Sequence, residues 1–352
     1  MKTIRRISAV CLLGVLSASI AGCGQNSDSS TTAKLSDNAE YREEVYAMDT
    51  HMELKAYGTN NKKAVKAAIS EIKSIDKELS VTNVESEISQ LNKNGTYTFT
   101  KDAAYLLKHA LSLYQSTKGQ FDVTSYIATK TWGFTTGKYK VPSVSKIASI
   151  KKLIGSDQLI YNEKTGKVSF KKKGMMLDFG AIAKGYTSQR CMEIFKENGI
   201  KSAVVNLGGN VQVLGQKPDG SNWNVAVMSP DKKSYIGVVQ THDMAIITSG
   251  GYERYFKQAG KTYIHIMNPK TASPAESGLA SVTIVSKDGT VSDGLSTSLF
   301  VMGKEKAVSY WRKHKSEFDA ILLTKDGKLY VTEGIANIFK TTDNNKVEKV
   351  TA

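Results

Sequence analysis

A carboxylate and a hydroxyl stand four residues apart in the segment VSDGLSTSLFVMG, residues 291–303. Asp293 and Thr297 therefore share one face of a helix predicted over 293–302. Hard oxygen ligands of this kind suit Mg²⁺, which keeps several waters and takes further ligands from substrate phosphates. The alternative is that Asp293 only caps the start of this helix, and the local pattern by itself favours that structural role.

The stretch LDFGAIAKGY, residues 177–186, predicts a strand over 175–177, a glycine turn and a helix over about 181–197. Backbone N–H groups at such a helix start, together with Lys184, could hold an anion. A carboxylate would repel phosphate, so we expect Asp178 to bind a sugar or base or to order the turn. The paired glycines of NLGGNV, residues 206–211, predict a turn or a close approach of backbone.

The hairpin predicted over 255–267 contains one histidine. His265 lies between Ile264 and Ile266, so it faces solvent or a cleft if the isoleucines face the core. A hydrogen-bonded surface histidine is the simpler interpretation. The other histidines have no metal-ligand spacing: His51, His109, His242 and His314.

The helices and strands that position these residues are predicted from the spacing of apolar side chains. Helices are predicted over 62–79, 101–117, 141–154 and 304–314, and hairpins over 161–170 and 320–334. The region from 202 onwards is rich in strands. Helices and strands cluster and hairpins are common, which predicts an α+β fold with mixed or antiparallel sheets and packed helices. One domain is expected over 41–340, followed by a polar tail over 341–352.

Composition limits the partners. The chain has 352 residues, 48 Lys+Arg against 33 Asp+Glu, and a formal charge of +15. Its 40% hydrophobic content excludes wholesale disorder, and 3 Cys exclude a disulfide scaffold. The basic excess is compatible with nucleic acid, an anionic membrane or an anionic small molecule.

The N-terminal segment helps to decide among these three kinds of partner. Residues 1–23 have a basic start, an apolar stretch over 7–20 and the ending Ile20-Ala21-Gly22-Cys23. This resembles a bacterial lipobox, which predicts a signal peptide over 1–22 and a lipidated Cys23; an uncleaved anchor helix is the alternative. Residues 23–40 then form a flexible tether. We expect a lipid-anchored protein on the extracytoplasmic face of the cell membrane, with no nucleic-acid partner.

Together these segments resemble the ApbE family, the FAD:protein FMN transferases. The family pattern LD-hG-hAKG, NLGG, SG-YERYF, HI-P-TG-P and AD-LSTALFVMG appears in order across most of 41–340. The resemblance implies a single ApbE-like, T-fold-like domain. It also implies Mg²⁺-dependent transfer of the FMN moiety of FAD to a Thr or Ser hydroxyl of an acceptor flavoprotein, with a phosphoester product and release of AMP.

The resemblance also implies roles for individual residues. His265 would be the catalytic base and also contact FAD. The metal ligands would be Asp293, Thr297 and the carbonyl of Ala181. The remaining FAD contacts would be Met48, Gln120, Phe121, Asp122, Asp178 and Lys184.

The chain departs from the family pattern at four places. Asp49 and Ala272-Ser273 stand where Gly is usual, Gly294 stands where Ala is usual, and Thr82 stands where many members have an aromatic residue. The last difference leaves open whether FMN is transferred or FAD is simply hydrolysed to FMN and AMP. A flavin- or solute-binding lipoprotein without turnover is a third interpretation.

Overall fold

The computed structural model describes residues 38–342 and 347–352. The predicted signal peptide, Cys23 and most of the predicted tether lie outside the described residues. Within the described ranges, no helix has the length and apolar character needed to cross a membrane.

The described residues form eight α-helices and nineteen strands, with three short 3₁₀ segments. The helices are α1 (Asn61–Leu79), α2 (Glu87–Asn94), α3 (Lys101–Ser116), α4 (Tyr126–Thr131), α5 (Val144–Lys151), α6 (Ala183–Glu197), α7 (Gly289–Met302) and α8 (Lys304–Lys313). The strands are β1 (Glu40–Ala47), β2 (Thr50–Tyr57), β3 (Thr96–Thr98), β4 (Leu159–Asn162), β5 (Lys167–Phe170), β6 (Ser202–Leu207), β7 (Asn210–Leu214), β8 (Trp223–Met228), β9 (Tyr235–Thr241), β10 (Ala245–Gly250), β11 (Tyr255–Gln258), β12 (Lys261–Ile264), β13 (Met267–Asn268), β14 (Ser273–Pro274), β15 (Leu279–Ser286), β16 (Asp319–Thr324), β17 (Leu329–Thr332), β18 (Phe339–Thr341) and β19 (Val347–Val350).

A nine-stranded sheet in the order β1-β2-β6-β7-β10-β15-β16-β17-β19 organises the fold. All neighbouring strands in it are antiparallel except β17 and β19, which pair in parallel. Smaller sheets are β18-β9-β8, β3-β5-β4 and the pairs β11-β12 and β13-β14. This architecture confirms the predicted α+β class.

The large sheet is buried on both faces. Along β16, Ala320 and Leu322 belong to the core under the helices, whereas Ile321 and Leu323 belong to the core under the sheet β18-β9-β8. This follows from the two-residue side-chain period of a strand. On the helix-covered face of the large sheet, α1 and α6 cover the end formed by β1, β2 and β6, and α7 packs on β10 and β15. The candidate site residues are carried by α6, α7 and the loops beside them.

Two tight turns adjoin at one end of this sheet. Met48 and Asp49 connect β1 to β2 with φ of 49° and 57°, and Gly208 and Gly209 connect β6 to β7 with φ of 68° and 97°. A Cβ on Gly208 would lie 2.2 Å from Oγ1 of Thr50, so the paired glycines serve both a turn and a close approach. Glycine is the usual residue for such φ values, and aspartate is among the few others that tolerate them.

Three local predictions were wrong. Helix α7 begins at Gly289 with Asp288 as its N-cap, so Asp293 lies in the second turn and does not cap the helix. Residues 175–177 form no strand, because the backbone of Leu177 pairs with the side chain of Asn92 instead of a neighbouring strand. Residues 347–350 of the expected polar tail form β19, because β17 offers them a parallel edge.

Candidate active site

The loop before α6 is ordered by Asp178. The N–H groups of Phe179 and Gly180 lie beside its carboxylate and oppose the rise of its pKa, and its own N–H donates to the carbonyl of Val123 at 3.1 Å. Burial raises the pKa of Asp178 to about 6, with these N–H groups and the charge of Arg254 opposing the shift. A Cβ at residue 180 would lie 2.9 Å from Oδ2 of Asp178, which explains the glycine there.

The start of α6 is capped by a carboxylate from α7. The N–H of Gly185 donates to Oδ2 of Asp293 at 2.8 Å, and the N–H of Lys184 also points to this carboxylate. The preceding N–H groups of Ile182 and Ala183 donate to the carbonyl of Phe179. The expectation that this helix start offers its N–H groups to an anion is therefore corrected, because they already have partners.

Asp293 is buried, and the groups around it stabilise its carboxylate. Burial raises its pKa, while the positive charge of Lys184 and the N–H of Gly185 act in the opposite direction. The positive end of the α6 dipole stabilises the same carboxylate. The Asn210 amide is directed toward it as well, although its Nδ2 is buried without a hydrogen-bond partner of ordinary geometry.

This contact requires an unusually close approach of α6 and α7. A Cβ on Gly185 would lie 2.1 Å from the carbonyl oxygen of Gly289 and 2.5 Å from Cβ of Asp293. A Cβ on Gly289 would lie 2.7 Å from the carbonyl oxygen of Gly185. Glycine at both positions therefore brings the Asp293 carboxylate to the N-terminus of α6.

Oxygen donors on α7 and in the loop before α6 have the chemistry to hold a hard cation. Thr297 is the one residue between 292 and 301 that is partly exposed, and its Oγ1 lies 3.0 Å from Oγ of Ser249. In the described part of the chain, no hydrogen bond reaches the carbonyl oxygen of Ala181. One carboxylate, one hydroxyl and one carbonyl fit Mg²⁺ with waters or substrate completing the shell. A cluster of three His, Cys, Asp or Glu residues that could hold a metal by themselves does not occur within the described residues.

His265 follows β12 and is held as a neutral imidazole. Its backbone N–H and its Nδ1 both lie against the carbonyl oxygen of Arg254, at 3.0 and 3.2 Å. A carbonyl only accepts, so Nδ1 carries the proton and Nε2 keeps its lone pair. Burial, together with the charges of Arg254 and Lys184, lowers the pKa of His265 to about 4. His265 is therefore a base already in its acceptor form at neutral pH.

Arg254 is a site residue that the sequence analysis did not single out. Its guanidinium lies 3.1 Å from Oδ2 of Asp49 in the β1-β2 turn. The same turn touches α6, because Oγ1 of Thr187 lies 3.8 Å from the Met48 sulfur. Two features of the sequence could have pointed to Arg254. It is the only arginine between residues 191 and 311, and it lies inside the SG-YERYF motif.

The structure thus brings most of the expected residues together. Lys184 acts on the pKa of both Asp293 and His265, and Arg254 acts on that of both Asp178 and His265. Three anchors join these groups: the α6–α7 contact, the Asp49–Arg254 ion pair and the Arg254–His265 hydrogen bonds. We call Asp178, Lys184, Arg254, His265 and Asp293 the charged cluster.

The stretch 120–122 lies behind this cluster. Phe121 is 2% exposed within the core, and its ring adjoins Gly294 of α7. The Asp122 carboxylate is buried and accepts hydrogen bonds from Thr124 and Ser156, while burial raises its pKa. Gln120 alone keeps partial exposure. The structure therefore gives the side chains of Phe121 and Asp122 a supporting position rather than an accessible one.

Comparison with known proteins identifies the family. The ApbE family profile matches residues 48–322, so the chain belongs to the ApbE family. It is similar to two proteins named FAD:protein FMN transferase: one from Klebsiella pneumoniae (30% identity over 297 residues, 83% of this chain and 92% of that protein) and one from Treponema pallidum (28% over 327 residues, 86% and 90%). Among solved structures, the ApbE protein of Thermotoga maritima matches with a TM-score of 0.80 at 29% identity, covering 85% of this chain and 99% of that one. The flavinyl transferase ApbE of Pseudomonas stutzeri matches at 0.77 and 25%, covering 86% and 97%.

Proposed function

We propose that the chain transfers the FMN moiety of FAD to a hydroxyl group of another protein. The observation that carries this proposal is the neutral His265, whose Nε2 is available as a base within the charged cluster. Attack of a hydroxyl on a pyrophosphate needs a positioned base and cations near the phosphate oxygens. The activity named for the relatives supports the same reaction.

In the proposed reaction the acceptor is a Thr or Ser side chain. Its oxygen attacks the FMN-side phosphorus of FAD, and the bond from that phosphorus to the bridging oxygen breaks. His265 takes the hydroxyl proton at Nε2, and AMP leaves with the bridging oxygen. The product is FMN joined to the acceptor through a phosphoester.

Lys184 and Arg254 are the cations assigned to the pyrophosphate. The N–H groups at the start of α6 are already bonded, so anion binding rests on these two side chains. The negative charge of bound FAD raises the pKa of His265 from its low value in the free protein, which makes it a better proton acceptor in the complex.

We assign Asp293, Thr297 and the Ala181 carbonyl to a Mg²⁺ ion. When bound, the metal would neutralise and orient pyrophosphate oxygens. Asp293 supplies the only charge in this donor set, and its contact with Gly185 fixes the direction of the carboxylate.

The test is incubation of the protein with FAD, Mg²⁺ and a candidate acceptor flavoprotein, followed by denaturing electrophoresis and detection of flavin fluorescence. We expect fluorescence on the denatured acceptor, and its loss with Asp293→Asn or without Mg²⁺. Glu305→Gln, an exposed carboxylate far along the chain, is the matched control and should retain transfer. Absence of covalent flavin with every acceptor and metal tried would refute the proposal.

Hydrolysis of FAD is the second candidate, and Thr82 motivates it. Thr82 is exposed in the loop between α1 and α2, where its Oγ1 bonds Oγ of Ser80. It offers no aromatic ring to cover a bound flavin or adenine. Chromatography of the products separates the two candidates, since FMN that remains non-covalent in excess acceptor indicates hydrolysis.

We further propose that Cys23 is lipidated and holds the protein at the extracytoplasmic face of the membrane. The lipobox-like ending Ile20-Ala21-Gly22-Cys23 supports this. Labelling cells with a radioactive fatty acid should mark the chain, and Cys23→Ala should abolish the label. A labelled Cys23→Ala protein would contradict the proposal.

A further inference from the structure

One region of the chain is strongly basic and almost free of acidic residues. Residues 123–177 contain eleven lysines, no arginine and two acidic residues, Asp157 and Glu163. Glu163 is already paired with Lys108. A large part of the positive charge of the protein is therefore concentrated in this one region.

All eleven lysines are exposed, and no salt bridge involves them within the described residues. Eight of them lie on three neighbouring segments, and we call these eight the lysine face: Lys138, Lys140, Lys146, Lys151, Lys152, Lys171, Lys172 and Lys173.

Three segments of chain converge to form this face. The N–H of Lys140 donates to the carbonyl of Trp132 at 3.2 Å, and Nζ of Lys172 donates to the carbonyl of Lys152 at 3.0 Å. Helix α5 turns Ile147 and Ile150 toward the small core around Trp132, which leaves its lysines outside. The three segments that carry these lysines are therefore neighbours in the fold.

Apolar side chains are interleaved with the lysines. Val144 is 85% exposed and Tyr139 is 46% exposed, and Tyr139 stands between Lys138 and Lys140. Basic residues around exposed aliphatic and aromatic groups are typical of surfaces that lie on a bilayer. Lysine is depleted and arginine enriched in protein–protein interfaces, so an all-lysine face favours a lipid partner over a protein partner.

The face also adjoins the candidate active site. The Tyr139 ring lies 5.5 Å from the Phe134 ring, which lies 6.4 Å from the His265 ring. A membrane contact here would hold the side of the molecule that carries His265 near the bilayer.

We propose that the lysine face binds the anionic phospholipid surface of the membrane, with Tyr139 and Val144 entering the interfacial layer. The lysine face would add a second contact with the membrane beside the lipid proposed on Cys23. This binding does not depend on the proposed reaction and is measured without it.

The experiment uses the full chain carrying Cys23→Ser, which removes the lipidation site. Sedimentation with vesicles of phosphatidylcholine alone is compared with sedimentation with vesicles that also contain phosphatidylglycerol. We expect binding to the anionic vesicles that weakens steeply as salt rises, since the screening length falls from about 10 Å at 0.1 M to about 3 Å at 1 M.

The decisive variant is Lys146→Gln/Lys151→Gln/Lys173→Gln. Each lysine near an anionic surface contributes about a five-fold gain in binding, so the triple variant should bind about 100-fold more weakly. Tyr139→Ser should weaken binding without reducing its salt dependence.

The matched control removes three exposed lysines of α1, as Lys63→Gln/Lys66→Gln/Lys73→Gln, and should bind like the parent. The N-terminal segment is the same in all variants, so its own affinity for vesicles cancels in the comparison. Equal binding to both vesicle types, or equal losses in the two triple variants, would overturn the proposal. A face variant that binds vesicles normally but has a raised KM for an acceptor protein would overturn it in favour of a protein partner.

Discussion

Replacing Gly185 by alanine tests whether the close approach of α6 and α7 builds the site. The new Cβ would lie 2.1 Å from the carbonyl oxygen of Gly289 and 2.5 Å from Cβ of Asp293. These atoms belong to the backbone and the first side-chain carbon of α7, so neither can rotate away. The helices must therefore separate by about an ångström to reach ordinary contact distances.

The expected destabilisation combines three effects. Overpacking of a tight contact costs about 1–3 kcal/mol, and loss of the hydrogen bond from Gly185 to the Asp293 carboxylate costs about 1.5–3 kcal/mol. The better helix propensity of alanine offsets about 1 kcal/mol of this destabilisation. The free energy of unfolding should fall by roughly 1.5–5 kcal/mol, which lowers Tm by roughly 3–20 °C for a domain of this size.

The matched control is Gly294→Ala, one position past Asp293. Its Cβ would meet Cδ1 of Leu113 at 2.4 Å, but that atom is the far end of a flexible side chain and can move. With the gain in helix propensity, we expect Gly294→Ala to stay within about 1 kcal/mol of the parent.

The assay is thermal unfolding of both variants, followed by FMN transfer from FAD under conditions where each is folded. Gly185→Ala should lose Tm and most of the transfer rate, because the Asp293 carboxylate no longer has its fixed position. Gly294→Ala should keep both. If the two variants melt together and transfer FMN equally well, the argument for an obligatory close approach is wrong.

Three further predictions concern the charged cluster. The pKa of His265 is about 4 in the free protein, so kcat/KM should stay high down to about pH 5, and an inflection near 6.5 would contradict the neutral-base assignment. The raised pKa of Asp178, about 6, means that stability is lost as pH rises from about 4, the ordinary pKa of an aspartate, to about 6. The change in Tm caused by Asp178→Asn should therefore be more favourable at pH 7 than at pH 5, and an equal change at both would refute the assigned burial effect. Asp49→Asn should release Arg254 from its ion pair and lower the KM for FAD about 2–5-fold at low salt with kcat unchanged, whereas a raised KM would show that Asp49 helps binding.

Much of the fold was predictable because it depends on local patterns. The apolar spacing in 62–79 and 101–117 matches α1 and α3, since amphipathic helices bury one stripe whatever their neighbours are. The turn at Asp326-Gly327 and the strands around it were predicted from turn chemistry alone. The ends of α7 were not, because Asp288 and Asp293 are both reasonable caps and only packing against α6 distinguishes them.

The candidate site likewise has features that the sequence predicted and features that only packing decides. The residues alone suggested Asp293 and Thr297 as an oxygen pair for Mg²⁺ and Lys184 as a cation at a helix start, whereas the role of His265 as a base came from the resemblance to the ApbE family. The pairing of Asp293 with the α6 start depends on two glycines that lie 104 residues apart, and no local pattern encodes such a distance.

The sequence by itself determined the α+β class and the order of the motifs, because these follow from composition and short-range spacing, and the resemblance of those motifs to the ApbE family implied which groups would react. Only the tertiary structure decided the electrostatic state of those groups. His265 is neutral because it is partly buried beside two cations, Asp293 is stabilised by a helix dipole, and Arg254 joins the site through Asp49. Each of these depends on which distant segments pack together, and burial and charge proximity are properties of that packing.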